Sequence, residues 1–512
     1  VSAKPASDAA REAARGTGLI LAGALVTQVA EYAYRFVLAR GLGADGFGTF
    51  NQARSVLLVL LVLASLGLPA GVKRFVAKFG EEGRFAEARR AIRDGSWMTA
   101  GFALVGGAVL LALAAPLANL FRNPELRLPL VLLAAGLPAG VALEYVTRVG
   151  EAFRSFRSSV IARQILEPGL RVLAAVALLA VGAGLPAICA AYGAASFAAL
   201  GVAVALVART PRLQALDRGP APSQFGPVLR FSVPLVFGGV LFDFAERVDI
   251  LMIGLYRDES HVGVYAVGSA LARALLLLVS STLPAVGTLA AEAVGRNSPE
   301  DIARLHRTTS RWMLFFTAPL AAALLLFPGE AITVLFGAEY LGATATLRVL
   351  VVAYLAGVLT GPVGVMLNVM GKAHWTFGNM VLRTGLNVVL NVLLIPRFGI
   401  VGAAWGTLIA LLLACALLLY QLASVAPIRG SYAGWGRPLL VLGAASAAGW
   451  GTARLGAALG LPVEAAAMAG GLVLLASFAV GVRRLPGCLE DEDLELLRPV
   501  LGRLTSRSRG PR

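Results

Sequence analysis

Residues 48–72 read GTFNQARSVLLVLLVLASLGLPAGV, and residues 263–287 read GVYAVGSALARALLLLVSSTLPAVG. Each run is long and apolar enough to cross a bilayer, which takes roughly 20 such residues as a helix. A shift of 215 residues lays Gly48-Thr49-Phe50 on Gly263-Val264-Tyr265, and Leu68-Pro69-Ala70 on Leu283-Pro284-Ala285. The same shift carries Gly23 onto Gly238, Glu31 onto Glu246 and Leu120-Phe121 onto Leu335-Phe336; a shift of 213 carries Ala190-Ala191-Tyr192-Gly193 onto Ala403-Ala404-Trp405-Gly406. Chance supplies one such match in apolar sequence, but not an ordered series at near-constant offset. Internal duplication of this kind is a recurrent plan of membrane transporters.

Composition points the same way. The 512 residues are 58% hydrophobic and 14% charged, with a mean hydropathy of +0.77. A soluble chain needs about 25% charged residues to cover its surface, so an all-α polytopic membrane protein is predicted. The 58 glycines suit membrane helices. Cys189, Cys415 and Cys488 are too widely spaced for a disulfide framework or a metal site.

Fourteen apolar spans are read at 17–39, 48–72, 95–119, 128–150, 161–183, 187–208, 229–255, 262–290, 312–332, 344–368, 375–396, 401–423, 436–457 and 462–482. The first follows Lys4, Arg11 and Arg15 as a signal peptide would, but Glu31 and Arg35 interrupt it, so it is read as an uncleaved helix. The side holding the termini carries 32 Lys and Arg, the opposite side 6. By the positive-inside rule both termini are cytoplasmic and the site is the cell (plasma) membrane. The net charge of +16 therefore belongs to topology and membrane lipid, and no nucleic-acid partner is expected. Residues 73–93 mix Phe75, Val76, Phe79 and Phe85 with basic residues, which suits an interfacial amphipathic helix as well as a plain loop.

The predicted organisation is an N-terminal tail (1–16), an N-lobe (17–209), a cytoplasmic linker (210–228), a C-lobe (229–424), two appended helices (436–482) and a C-terminal tail (483–512). The lobes are two parallel six-helix repeats.

Charges inside the spans mark the site, because each costs about 2.5–3.5 kcal/mol at the bilayer centre. Glu31–Arg35 and Glu167–Arg171 stand four apart, as neutralising pairs would. Asp243, Glu246, Arg247 and Asp249 crowd the seventh span. Arg54, Arg273 and Arg383 have no acid near them on their own spans; Arg54 and Arg348 are close enough to span ends to snorkel. A cationic cavity is inferred, and guanidinium suits the bidentate grip of pyrophosphate. The substrate-binding candidates are Arg35, Arg54, Arg247, Arg273, Arg383 and Asn387, the last in a row with Asn379 and Asn391 that also suits helix-to-helix bonding. Coupling candidates are Glu31, Asp243, Glu246 and Asp249. No phosphate-binding loop, His-Glu-x-x-His or Cys-x-x-Cys occurs. His261, His306 and His374 are read as solvated loop residues, and neither cofactor, metal nor catalytic residue is expected.

Residues 40–50, 67–75, 249–254, 262–265, 335–340 and 391–404 together resemble the prokaryotic polysaccharide transporters, a branch of the multidrug/oligosaccharidyl-lipid/polysaccharide exporter superfamily. The resemblance covers residues 17–425. It implies two six-helix lobes around a V-shaped cavity with alternating access. It implies a flippase for polyprenyl-pyrophosphate-linked oligosaccharide, working with other polysaccharide-assembly proteins. The rivals are a drug or organic-cation antiporter and a peptidoglycan-precursor flippase of the same superfamily, and, from another class, a membrane-embedded polymerase or ligase. The last wants a large external loop, which 120–127 and 256–261 do not provide.

Overall fold

A computed structural model describes residues 6–217, 219–428 and 432–484, with side chains from residue 23 onward except 278–281 and 433. The first five residues and everything past 484, including most of the predicted C-terminal tail with Cys488, lie outside the described residues. Among the described residues every regular element is helical: α1 Ala6–Ser65, α2 Leu68–Glu81, α3 Phe85–Leu120, α4 Arg127–Ala152, α5 Glu167–Ala180, α6 Leu185–Ala208, α7 Pro211–Gln214, α8 Phe225–Ala245, α9 Val248–Tyr256, α10 Glu259–Arg273, α11 Leu276–Gly295, α12 Pro299–Leu326, α13 Pro328–Leu335, α14 Thr344–Thr360, α15 Val363–Val369, α16 Ala373–Val425, α17 Gly436–Ala458 and α18 Val463–Arg484, with short 3-10 turns between some of them. The protein is an all-α, multi-pass membrane protein.

The count of fourteen spans is not reached. Nine segments among the described residues are long and apolar enough to cross a membrane. Three effects make the difference. First, α1 and α16 each join two runs. At 1.5 Å per residue the 60 residues of α1 would reach roughly 90 Å, about three bilayer cores. Gly43 (φ 69°, ψ 178°) breaks it, and Glu31 stands 2.7 Å from Arg54, 23 residues away in sequence. A continuous helix would hold those residues roughly 35 Å apart, so α1 folds back at Gly43. The same reversal occurs in α16 at Gly399 (φ 59°), where Asn379 donates to Gln421 Oε1 at 2.7 Å. Second, the charged or proline-bearing runs break into short pieces. Run 161–183 begins as a π-helical stretch, Ser159–Leu166, before the 14-residue α5, and 262–290 breaks between α10 and α11; 229–255 also breaks, beside Glu246 and Arg247, but its α8 is one of the nine. Third, the 23-residue α17 of run 436–457 is not apolar enough to be among the nine.

The chain divides into two compact units, residues 1–266 and 267–512. In the first, Leu68, Val72, Val76 and Phe79 of α2 are buried in a core with Met98 of α3, Tyr145 and Val149 of α4 and Val228 of α8. The amphipathic segment expected at 73–93 is thus a helix at 68–81 whose apolar face is covered by protein, followed by the start of α3. The linker also joins this core. Leu216 is buried in it, and the Asp94 carboxylate accepts hydrogen bonds from Ser223 Oγ and the Gln224 backbone N–H at 3.0 and 2.9 Å.

One contact in the first unit reproduces the sequence repeat. A methyl group built on Gly48 would overlap the Glu259 carbonyl and approach the Gly263 backbone nitrogen. One built on Gly263 would overlap the Ala44 carbonyl and approach the Gly48 nitrogen. Residues 44 and 259, like 48 and 263, are related by the 215-residue shift, so the equivalent turns cross reciprocally, backbone on backbone.

In the second unit His306 overturns the solvated reading. It is fully buried in α12, with Nε2 3.1 Å from the Thr360 carbonyl oxygen. That carbonyl sits where Gly361 (φ 78°) and Pro362 break the helix between α14 and α15, so the imidazole meets a group the break leaves over. The appended helices α17 and α18 pack on each other with Gly449 against the Gly470 carbonyl, a small-residue crossing.

Candidate functional site: a charged cavity in the first unit

The membrane helices of the first unit enclose a cavity of about 650 Å³, within the 300–1,000 Å³ usual for ligand sites. Six basic side chains (Arg54, Lys73, Arg148, Arg163, Arg171, Arg247) and four acidic ones (Glu31, Glu144, Glu151, Glu167) line it. Their placement follows from the helix breaks. The reversal at Gly43 brings Arg54 over Glu31, and the π-helical turn before α5 carries Arg163 to the same wall as Glu144 of α4.

Two clusters result. In the first, Glu31 takes Arg54 at 2.7 Å and Arg171 at 3.9 Å. Arg171 also pairs with Glu167 at 2.5 Å and donates to Ser196 Oγ at 3.1 Å, while Ser196 donates to the same Glu167 oxygen at 2.8 Å. The guanidinium of Arg171 lies over the Tyr192 ring, 3.6 Å from its centre, a cation–π geometry that adds to the hold. Two acids and two arginines make this cluster neutral as a whole. In the second cluster Glu151 accepts from Lys73 at 2.8 Å and from Arg148 at 2.9 Å, and Glu144 stands 3.4 Å from Arg163 and 4.0 Å from Arg148.

The sequence candidates are distributed as follows. Arg54, Arg247 and Glu31 line the cavity. Arg54 does not snorkel; its side chain is 14% exposed and bonded to Glu31. Glu31 takes partners from other segments, not from Arg35 one turn away, because the reversal of α1 and the approach of α5 present Arg54 and Arg171 to it. Arg35 lies outside the lining, 5.6 Å from the Tyr32 ring centre. Arg247 bonds Asp243 at 2.5 Å, four residues earlier on the seventh run. Asp249 is buried and accepts from the Tyr265 hydroxyl. Arg273, Arg383 and Asn387 belong to the second unit. There Arg273 donates to Ser269 Oγ at 3.1 Å, and Asn387 donates to Thr407 Oγ1 at 3.2 Å and accepts from Asn391, binding the two arms of α16 together. Arg171, Tyr192, Ser196, Lys73, Glu144, Arg148, Glu151 and Arg163 were not among the sequence candidates. Charge spacing points to some of them: Arg171 stands four residues from Glu167, and Glu144, Arg148 and Glu151 recur at four and three residues.

Comparison with known proteins gives the family. The family model described as "Polysaccharide biosynthesis protein" matches residues 13–287, and the MatE model matches residues 234–393. Among curated proteins, the chain is 24% identical over 208 residues to the "Probable low-salt glycan biosynthesis flippase Agl15" of Haloferax volcanii, a match covering 40% of this chain and 43% of that one. It is 22% identical over 454 residues to the "Stage V sporulation protein B" of Bacillus subtilis, covering 81% and 84%. The chain thus spans less than half the length of the Haloferax relative. Among solved structures, the lipid II flippase MurJ in an inward closed conformation superimposes with a TM-score of 0.66 at 12% identity, covering 90% of this chain and 98% of that one. An inward-facing multidrug resistance MATE family transporter of the MOP superfamily does so with a TM-score of 0.63 at 14% identity, covering 80% and 96%. At these identities the likeness is one of fold. With its family model spanning more than half of the sequence, the chain belongs to the polysaccharide biosynthesis protein family and has the fold of the multidrug/oligosaccharidyl-lipid/polysaccharide exporter superfamily.

Proposed function

We propose that the protein is a flippase that carries a polyprenyl-pyrophosphate-linked oligosaccharide from the cytoplasmic to the outer leaflet by alternating access. The observation that carries this reading is the excess of basic side chains, six against four acidic, on the wall of a cavity within membrane helices. Pyrophosphate cannot cross hydrocarbon unaided, and guanidinium groups grip it through paired N–H donors. Arg54, Arg171 and Arg247 are the donors we assign to it in the first unit. Arg35 in the first unit, and Arg273, Arg383 and Asn387 each within the second, remain further substrate-binding candidates. The carboxylates and the Tyr192 and Ser196 hydroxyls offer hydrogen bonds to sugar. The names of two relatives, a glycan biosynthesis flippase and a lipid II flippase, support the same class. An antiporter for organic cations would want the opposite balance of charge. The membrane is the cell membrane, with both termini cytoplasmic: single cysteines at Lys78 and Gly219 should resist an impermeant thiol reagent in intact cells, and one at Asp258 should react. Labelling at Gly219 without permeabilisation reverses the orientation.

Directionality then rests on a gradient, with Glu31, Asp243, Glu246 and Asp249 as groups whose ion occupancy can differ between states. Glu31 is our first choice, because substrate pyrophosphate would compete for both of its arginine partners and leave it to take a cation. In proteoliposomes the wild type should move a fluorescent polyprenyl-pyrophosphate oligosaccharide faster under an imposed proton or Na⁺ gradient. Glu31→Gln, normalised to folded protein, should lower basal transport, since the carboxylate holds Arg54 and Arg171, and should lose the acceleration. Acceleration that persists in full in both Glu31→Gln and Glu246→Gln excludes these two carboxylates, and a wild type that moves no lipid-linked sugar excludes the flippase.

A further inference from the structure

A second cavity of about 470 Å³ opens beside the first, and its chemistry differs. Gly67, Pro69, Ala70 and Ala77 give it an apolar lining, with Lys73, Arg74, Arg148 and Glu144 among them. Its origin is local: Leu66 (φ 43°) and Gly67 (φ 65°) are consecutive left-handed residues that break the chain between α1 and α2. The break turns the amphipathic α2 so that its inner face fills the core while Ala70, Lys73 and Arg74 stay outside it. Lys73, Glu144 and Arg148 line both cavities, so the polar chamber and the apolar groove meet at that trio.

We infer that the groove seats the first isoprenyl units of the lipid carrier, with the pyrophosphate passing Lys73 and Arg148 at the junction and the sugar beyond it in the polar chamber. This rests on the flippase reading and deepens it by giving the tail a protein-bound start. The order of surfaces matches the order of the molecule: apolar floor, cationic step, then hydrogen-bonding chamber. Charge complementarity selects the occupant, since the groove's own charged side chains are three basic and one acidic. Glu144 and Glu151 hold the basic step in place, with Lys73 and Arg148 both within 2.9 Å of Glu151. An anionic lipid phosphate displacing Glu151 from Lys73 would still find Arg148 beside it.

The test uses the full chain in nanodiscs of phosphatidylcholine, titrated with farnesyl pyrophosphate and, separately, with inorganic pyrophosphate. The wild type should bind the farnesyl compound at least about tenfold tighter, the equivalent of roughly two buried methylenes. Ala70→Trp fills the groove from an exposed position, so the core is left alone. It should abolish that advantage while leaving inorganic pyrophosphate binding unchanged, and Ala77→Trp should do the same from the far end of α2. Lys73→Gln should weaken both ligands. Equal loss of both ligands in Ala70→Trp, or no loss of either, overturns the groove assignment. So does phosphatidylglycerol, added to the nanodiscs, displacing the farnesyl compound completely at matched concentration, which would make the groove a site for bulk anionic lipid. A wild type that binds inorganic pyrophosphate but shows no farnesyl advantage removes the groove and keeps the flippase. One that binds neither ligand removes both.

Discussion

Arg171→Ala is expected to stop translocation of lipid-linked oligosaccharide and to destabilise the protein, and a second substitution separates the two effects. Arg171 holds Glu31, Glu167, Ser196 and the Tyr192 ring. Removing one partner of a buried ion pair leaves the other charge stranded, at about 3–5 kcal/mol, so folded protein should fall. Arg171→Ala/Glu167→Ala takes the stranded carboxylate away as well, and the amount of folded protein should recover. Transport should not recover, because a charge-assisted hydrogen bond to pyrophosphate is worth about 1.5–3 kcal/mol, roughly ten- to a hundredfold in binding. Arg171→Lys should rescue in part, since the charge survives and the planar fork does not. The measurement is fluorescent lipid-sugar translocation in proteoliposomes normalised to protein recovered. Full transport in the double variant would make Arg171 a structural residue only. The same logic applies to Arg54 with Glu31, whose side chains are 14% and 20% exposed.

The second large effect concerns Gly48. Even Gly48→Ala places a methyl group on the Glu259 carbonyl and next to the Gly263 nitrogen, both backbone atoms that cannot turn aside. Overpacking typically costs about 1–3 kcal/mol when side chains can adjust; here the α1 reversal and α10 must move apart. Gly48→Leu and Gly263→Leu should therefore yield little monodisperse protein after detergent extraction, and Gly48→Ala a lowered melting temperature. Gly101→Ala is the control: nothing lies within 4 Å of its added methyl, and alanine favours helix over glycine. A Gly48→Ala protein that melts like the Gly101→Ala protein would show that the reciprocal crossing is absent.

Much of the fold is legible in the amino-acid sequence. Composition and run length specify an all-α membrane protein, the 215-residue shift reveals the duplication, and the ordered motifs point to the family. These properties are read from sums and spacings, which do not depend on where side chains meet. Span continuity is less legible: run length says that a segment can lie in a bilayer, while a break such as that between α8 and α9 at Glu246 and Arg247 depends on local hydrogen bonding.

The site divides along the same line. Sequence alone determined that Glu31, Arg54, Glu167, Arg171, Asp243 and Arg247 are charges within apolar runs, and hence that they need partners. It could not say which partners. Spacing of four residues offered Arg35 to Glu31, yet Glu31 bonds Arg54 and approaches Arg171, which only the reversal at Gly43 and the docking of α5 on α1 make possible. Where spacing and structure agree, at Glu167–Arg171, both residues lie on one regular helix, whereas Asp243 and Arg247 meet across the break between α8 and α9. The sequence marks Glu144, Arg148 and Glu151 as one helix face, but their union with Lys73 and Arg163 into a cavity wall was decided only by tertiary structure, because the members come from three segments, and a helix fixes neighbours only within its own surface.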